Sequence, residues 1–174
     1  MKKLILAVLI SVTSIPVFAQ MRIKREKNAQ DTAQQIRTER QIDSVRVNRM
    51  RSMDVAKSFI RDLANTDIAL DIILSKYVIT HDADDEMYDY LLASLAEIRL
   101  NMMSKRIQDI QFIPFQEMSR RDVSDIDTEG LNTADMFFLR HGKRQLTALY
   151  MENGKVASFT LVSKGGNKAH FVTY

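Results

Sequence analysis

The sequence predicts an α+β protein in which two short helices and one long helix pack on a curved antiparallel sheet of about four to six strands, after an N-terminal arm that is helical or disordered. From residue 52 to residue 105, apolar residues recur at helical spacing. After Arg106 they alternate with polar residues, and short glycine-containing turns separate the alternating segments. Consecutive strands joined by such turns are expected to be antiparallel neighbours.

The first 19 residues have the pattern of a secretory signal peptide. Two lysines precede an apolar run from Leu4 to Val12, and the small residue Ala19 precedes a predicted cleavage site before Gln20. The run is shorter than the roughly 20 residues that a membrane-spanning helix needs. We therefore expect an exported protein, periplasmic or extracellular, with no transmembrane segment after signal cleavage.

Cysteine is absent, so the chain has no disulfide, no thiolate metal site and no lipid-modified cysteine. Its stability must come from a hydrophobic core, and a hydrophobic content of 45% is sufficient for one. A bacterial envelope or extracellular setting fits this composition.

Charge divides the mature chain into a basic arm and an acidic domain. Residues 20–52 carry nine Lys or Arg and four Asp or Glu, whereas residues 53–174 carry fourteen and eighteen. Because an acidic surface is repelled by phosphates, no nucleic-acid binding is expected. The arm fits a solvated tether, or a segment that contacts a membrane surface or an acidic partner. The predicted organisation is a signal peptide (1–19), a basic arm (20–52) and an α+β cone-like domain (53–174).

Two short helices are expected at the start of the domain. Ser52 is predicted to cap the first, and Asn65 to end it. The second is expected from Thr66, with an inward face formed by Ile68, Ile72, Ile73 and Tyr77. The segment YVIT, residues 77–80, favours a short strand.

The long helix is expected from Asp84 to Lys105, with Asp82 as its N-cap. The acidic first turn and the basic residues Lys105 and Arg106 suit the two ends of the helix dipole. Its main apolar face consists of Met87, Leu91, Ser94, Leu95, Ile98 and Met102, widened by Tyr88, Leu92, Leu100 and Met103.

The strands are expected in the segments RIQDIQFIPFQEM, ADMFFLR, RQLTALYM, KVASFTLV and AHFVTY. Pro114 places the first of them at a sheet edge or a bulge. Tight turns are predicted at HGK, at Glu152, Asn153 and Gly154, and between Lys164 and Lys168.

This order of elements resembles the nuclear transport factor 2-like, or cystatin-like, superfamily over residues 53–174. The fragments AKSFIRDLANTD, ALYMENGKVASFTLV and KAHFV are the most similar stretches. The resemblance implies a cone-shaped α+β fold shared with ketosteroid isomerase and with small exported bacterial proteins. In its enzymes an Asp, Glu or His lies in an apolar cavity, where burial tunes its pKa for proton transfer.

The stretch HDADDEMYDY, residues 81–90, is the densest group of ionisable residues. A calcium loop that starts at Asp82 would have Met87 where glycine is required and Ala93 where glutamate is required. The three histidines of the chain have no metal-ligand spacing. Helix initiation therefore explains the acids, and neither a metal site nor a cofactor is expected.

The remaining site candidates come from the long helix and the aromatic residues. His81, Asp89 and Glu97 are the candidates for acid–base catalysis. The candidates for lining an apolar ligand pocket are Tyr77, Tyr90, Phe138, Tyr150 and Phe159. The leading expectation is a non-enzymatic domain that binds an unknown protein or a small apolar ligand. The alternatives are an acid–base enzyme of isomerase or dehydratase type, and an envelope-associated structural protein attached through its arm.

Overall fold

The computed structural model describes the backbone of residues 17–80 and 83–174, and the side chains of residues 34–80 and 83–174. The chain forms two compact units, Met1–Ser44 and Val45–Tyr174. All strands lie in the second unit. The helices are α1 (Val17–Ala64), α2 (Leu70–Tyr77), α3 (Asp85–Met103) and the short α4 (Arg120–Val123). The strands are β1 (Ile110–Pro114), β2 (Met136–His141), β3 (Arg144–Glu152), β4 (Lys155–Ser158), β5 (Leu161–Gly165) and β6 (Lys168–Phe171).

Helix α1 is the longest element, and the predicted helix start at Ser52 is wrong. Residues 20–52 contain no proline or glycine and many strong helix formers, so nothing interrupts the helix before the domain. The helix passes through Ser52, whose side chain is buried and donates a hydrogen bond to Asp135 Oδ1 at 3.3 Å. The predicted end at Asn65 is confirmed, because the last helical residue is Ala64.

Helix α2 begins four residues later than expected. Ile73 and Tyr77 are buried as predicted, but Ile72 is 54% exposed, so its predicted inward position is wrong. Of the predicted strand at residues 77–80, only Val78 forms a bridge, to Val156 of β4, and the bridge is parallel.

Helix α3 buries a narrower face than its sequence suggests. Leu91, Leu95 and Met102 are buried, whereas Leu100 and Met103 are 67% and 63% exposed, contrary to prediction. Its last residue is Met103, so the predicted basic last turn is also wrong.

The strands form two antiparallel sheets. One has the order β1-β2-β3-β4, and the other pairs β5 with β6. Pro114 lies in the edge strand β1, as predicted. The segment KVASFTLV was expected to be one strand, but Phe159 and Thr160 divide it between β4 and β5, which belong to different sheets.

The central strand β2 is buried on both faces. Phe137 and Leu139 pack into a cluster with the buried residues of α1, α2 and α3. Met136 and Phe138 point to the opposite face, where they pack with Phe171 of β6 and with partly buried residues of the 115–131 connection. The alternation predicted for this strand is therefore wrong: MFFL is a continuous apolar run because helices cover one face and the β5–β6 hairpin covers the other.

Truncation on either face of β2 tests this double burial. Phe137→Ala and Phe138→Ala should each lower the free energy of unfolding by about 3–5 kcal/mol, because both side chains are fully buried. Val162→Ala is the control and should change it by less than about 0.5 kcal/mol. Urea unfolding measures all three. A small effect of Phe138→Ala alone would show that the hairpin does not seal the second face.

Candidate functional site

A polar groove lies between α1 and the turn that joins β3 to β4. Its volume is about 360 Å³. All its residues belong to the unit that begins at Val45, and we call it the α1 groove. It is lined by Asn48, Arg51, Ser52, Asp135, Met151, Asn153 and Gly154.

Helix α1 supplies one wall of the groove. Asn48, Arg51 and Ser52 are spaced three and four residues apart, which places them on one helix face. Ser52 is buried at the base of this wall, and Asn48 and Arg51 are exposed above it. One uninterrupted helix thus anchors the wall in the core and presents a guanidinium group to solvent.

Asp135 supplies the opposite charge, and two hydrogen bonds fix its carboxylate. Oδ1 accepts from the Ser52 hydroxyl at 3.3 Å, and Oδ2 accepts from Asn132 Nδ2 at 2.7 Å. Asn132 is itself held, because its Oδ1 accepts from the backbone N–H of Ala134 at 3.1 Å. Each carboxylate oxygen retains a further lone pair for a ligand.

The β3–β4 turn lines one end of the groove. Asn153 and Gly154 have φ angles of +50° and +75°, the pair of left-handed residues that a two-residue hairpin turn requires. The predicted turn is therefore confirmed. Nothing lies within 4 Å of the position that a Cβ would occupy at Gly154, so this end of the groove is open. Met151 is buried beneath it.

Neither charge of the groove is neutralised by another described side chain. Among the described side chains, no ion pair joins Arg51 or Asp135 to a partner, and the two do not pair with each other. A cation and a carboxylate thus line one groove and remain available to a ligand.

The phenol of Tyr150 lies near this carboxylate and has a raised pKa, so it stays protonated at neutral pH. Burial raises its pKa, and the negative charges of Glu152 and Asp135 raise it further. The backbone N–H of Asn132 opposes this shift through a hydrogen bond. Tyr150 therefore remains neutral near the groove.

The structure describes two of the three predicted catalytic residues and buries neither of them. His81 lies outside the described residues, and both Asp89 and Glu97 are exposed on α3. The helix begins at Asp85 with Asp84 as its N-cap, which accepts the backbone N–H of Met87 at 2.8 Å. The cap is thus Asp84 and not Asp82, which also lies outside the described residues. Within the described part of the chain, no cluster of His, Asp and Glu has a metal-binding arrangement.

The predicted pocket residues belong to different environments. Tyr77 and Phe159 are buried in the cluster on the helix side of the sheet, and Phe138 and Tyr150 are buried in the cluster on the hairpin side. Tyr90 is 48% exposed and lines a shallow surface groove of about 290 Å³ near the start of α3. The sheet therefore separates one pair of these aromatic rings from the other.

A second polar cluster fastens α2 to α1. The Tyr77 hydroxyl donates to Asp62 Oδ2 at 2.6 Å, and Lys76 Nζ donates to the same oxygen at 2.9 Å. These hydrogen bonds, first that of Tyr77 and then that of Lys76, hold the pKa of Asp62 below its usual value of 3.8. Burial raises the pKa of Tyr77, and the bond to Asp62 adds to that shift. Lys76 also lies over the Tyr77 ring, 4.7 Å from its centroid.

A third polar cluster fastens the β5–β6 hairpin to the preceding connection. Lys164 forms ion pairs with Glu129 and with Asp127, and His170 Nδ1 lies 3.0 Å from Glu129 Oε2. Lys164 first, and His170 second, lower the pKa of Glu129 through these contacts. Backbone bonds between Ala169 and both Asp125 and Asp127 reinforce the attachment, so this cluster has a structural role.

The Asp62 cluster predicts a specific dependence of stability on pH. Because the folded-state pKa of Asp62 is depressed, its stabilisation is present at neutral pH and is lost as the pH falls below 3.8. Asp62→Asn should lower the free energy of unfolding by about 1 kcal/mol at pH 7, and the difference should shrink at pH 3. Thermal unfolding at both pH values measures this. The exposed Asp89→Asn is the control, and a pH-independent deficit would contradict the assignment.

The groove residues were not recognised from the sequence. Ser52 was interpreted as a helix cap, and Asn153 and Gly154 only as turn residues. Arg51 and Asp135 are far apart in sequence, and no motif links them. The absence of glycine and proline from residues 20–52 is the one sequence signal that favours an uninterrupted helix across Ser52.

No protein-family model, curated protein or solved structure matches the chain. Within residues 17–80 and 83–174, no helix has both the length and the apolar content needed to cross a membrane.

Proposed function

We propose that this protein is an exported, non-enzymatic binding domain that recognises a polar ligand at the α1 groove. The observation that carries the proposal is the presence of Arg51 and Asp135 in one groove without ion-pair partners among the described residues. The groove volume of about 360 Å³ falls within the range of small-molecule sites. Two opposite charges in one groove give such a site orientation and specificity.

Packing of the sheet supports a surface site over an internal apolar pocket. Phe138 is fully buried, and Tyr77, Tyr150 and Phe159 are 7% exposed or less. These rings contact other aromatic side chains, with centroids 5.7 to 6.3 Å apart for the pairs Phe59–Tyr77, Phe59–Phe159, Phe138–Phe171 and Tyr150–Phe171. These aromatic rings fill the interior, so we assign ligand binding to the protein surface.

The same packing favours a binding role over acid–base catalysis. An enzyme of the resembled superfamily would need an ionisable group within an enclosed cavity. In the described part of the chain, no Asp, Glu, His, Lys or Arg is buried, and the buried phenols of Tyr77 and Tyr150 pack against other aromatic rings. Membership of the nuclear transport factor 2-like superfamily remains a proposal that rests on element order.

The binding proposal is tested by titrating isotope-labelled protein with small fragments. Fragments that carry a carboxylate or an ammonium group should shift the backbone amide signals of Asn153 and Gly154 in a saturable manner. Purely apolar fragments should not, and the amide of Val162 on the β5–β6 hairpin is the internal control. Saturable shifts at Phe138 and Phe159 with apolar fragments would instead establish an internal apolar pocket.

The basic arm, residues 20–52, is proposed to contact an anionic membrane surface or an acidic partner. Between residues 34 and 51 it carries five arginines and two acids, and the exposed apolar residues of the same stretch are Ile36, Ile42, Val45, Val47 and Met50. Basic helices with exposed apolar side chains bind anionic surfaces in a salt-dependent manner.

Export is tested by expressing the full chain in a bacterial host and sequencing the N-terminus of the recovered protein. The mature chain should begin at Gln20 and should be recovered outside the cytoplasm. Any fraction that sediments with membranes should be released by high salt, because arginine contacts with anionic headgroups are screened. Retention of Met1 on the recovered protein would contradict the signal-peptide assignment.

A further inference from the structure

We infer that the ligand of the α1 groove is a small zwitterion of the amino-acid type, with Arg51 receiving its carboxylate and Asp135 receiving its ammonium group. This inference rests on the proposed function, since it assigns a ligand class to the same groove. It is carried by the pairing of one cation with one anion in a single groove whose other lining residues carry no charge.

The first observation in favour of a zwitterionic ligand is that the charges of Arg51 and Asp135 are not in contact. No nitrogen of Arg51 lies within 4.0 Å of a carboxylate oxygen of Asp135. If the two were in contact, each would neutralise the other and the groove would attract neither kind of ion. Without a direct contact between them, the two charges are complementary to a molecule that carries both signs.

The second observation is that the carboxylate of Asp135 is already held in place before a ligand binds. The Ser52 hydroxyl and the Asn132 amide hold the two oxygens of Asp135 in place. An ammonium group with three N–H donors can therefore bind this carboxylate without a large ordering cost on the protein side. Arg51, by contrast, is exposed on α1 and is free to adjust to the position of the ligand carboxylate.

Neutral polar groups complete the recognition surface. Asn48 lies one helical turn before Arg51. Its side-chain amide can donate a hydrogen bond to the carboxylate of the ligand. Asn153 supplies a second amide from the turn, and the open end at Gly154 leaves room for a ligand side chain. The buried Met151 provides an apolar contact at the base of the groove.

The test uses three probes that share the alanine skeleton. L-alanine carries both charges, L-alaninamide carries only the ammonium group, and N-acetyl-L-alanine carries only the carboxylate. Titration of the full mature chain, followed by the amide signals of Asn153 and Gly154, should give alanine a dissociation constant at least about tenfold lower than that of either analogue.

Two variants test which charged group of the ligand binds to Arg51 and which to Asp135. Arg51→Gln should weaken alanine and N-acetylalanine binding by about tenfold and leave alaninamide unchanged. Asp135→Asn should weaken alanine and alaninamide by about tenfold and leave N-acetylalanine unchanged. Each variant should lose binding of one single-charge analogue and keep binding of the other. Loss of the fold would weaken the binding of all probes, so it cannot explain this pattern. Arg46→Gln and Asp54→Asn, which are exposed on α1 outside the groove, are the matched controls.

The outcomes separate the two proposals. If charged fragments shift the groove signals but alanine binds no better than its analogues, the zwitterion inference is overturned and the binding function is retained. If no probe shifts Asn153 or Gly154, both are overturned. If alanine is preferred but Arg51→Gln and Asp135→Asn have no effect, another part of the surface binds it and the assignment of residues is wrong.

Discussion

The double burial of β2 is the constraint on which the rest of the second unit depends. A strand with four consecutive fully buried residues, Met136 to Leu139, is stable only when both faces of its sheet are covered. Helices α1, α2 and α3 cover one face. The chain must therefore return over the other face, and the break at Phe159 and Thr160 allows β5 and β6 to leave the first sheet and do so.

The helical layer is held together largely at the end of α1. Arg99 of α3 donates from Nε to the carbonyl of Leu63 at 2.8 Å, and from Nη2 to the carbonyl of Ile68 at 2.7 Å. The last carbonyls of a helix have no partner within the helix, and the bond to Leu63 satisfies one of them. One side chain of α3 thereby positions both the end of α1 and the connection to α2, while the Asp62 cluster fixes α2 itself.

Local features of this fold could be predicted from sequence, and long-range features could not. Helical spacing and the Gly-containing turns predicted the helix–strand order, because they depend on residues a few positions apart. The break in KVASFTLV has no local signal, since the segment contains no glycine or proline and only the three-dimensional packing requires a second sheet. Alternation was assumed in β2 although MFFL does not alternate, and that run was the available sign of two covered faces.

The residues of the candidate site could not be predicted from local sequence either. Asp89, Glu97 and the aromatic residues were selected by residue type, yet they are either exposed or part of the packed interior. Ser52 and Asp135 meet only because α1 is continuous, and that continuity was masked by an interpretation of Ser52 as a helix cap. A residue with a plausible local role is difficult to recognise as part of a distant site.

The edges of the four-stranded sheet have a consequence for self-association. Unpaired edge strands can add strands from other molecules and start aggregation. At the β4 edge, Ile79 donates its backbone N–H to the carbonyl of Val156 at 2.9 Å, so the parallel bridge at Val78 occupies that edge. At the β1 edge, Pro114 lacks the N–H that an incoming strand would require. A short bridge and one proline thus oppose intermolecular β-pairing at both edges of a sheet rich in buried apolar residues.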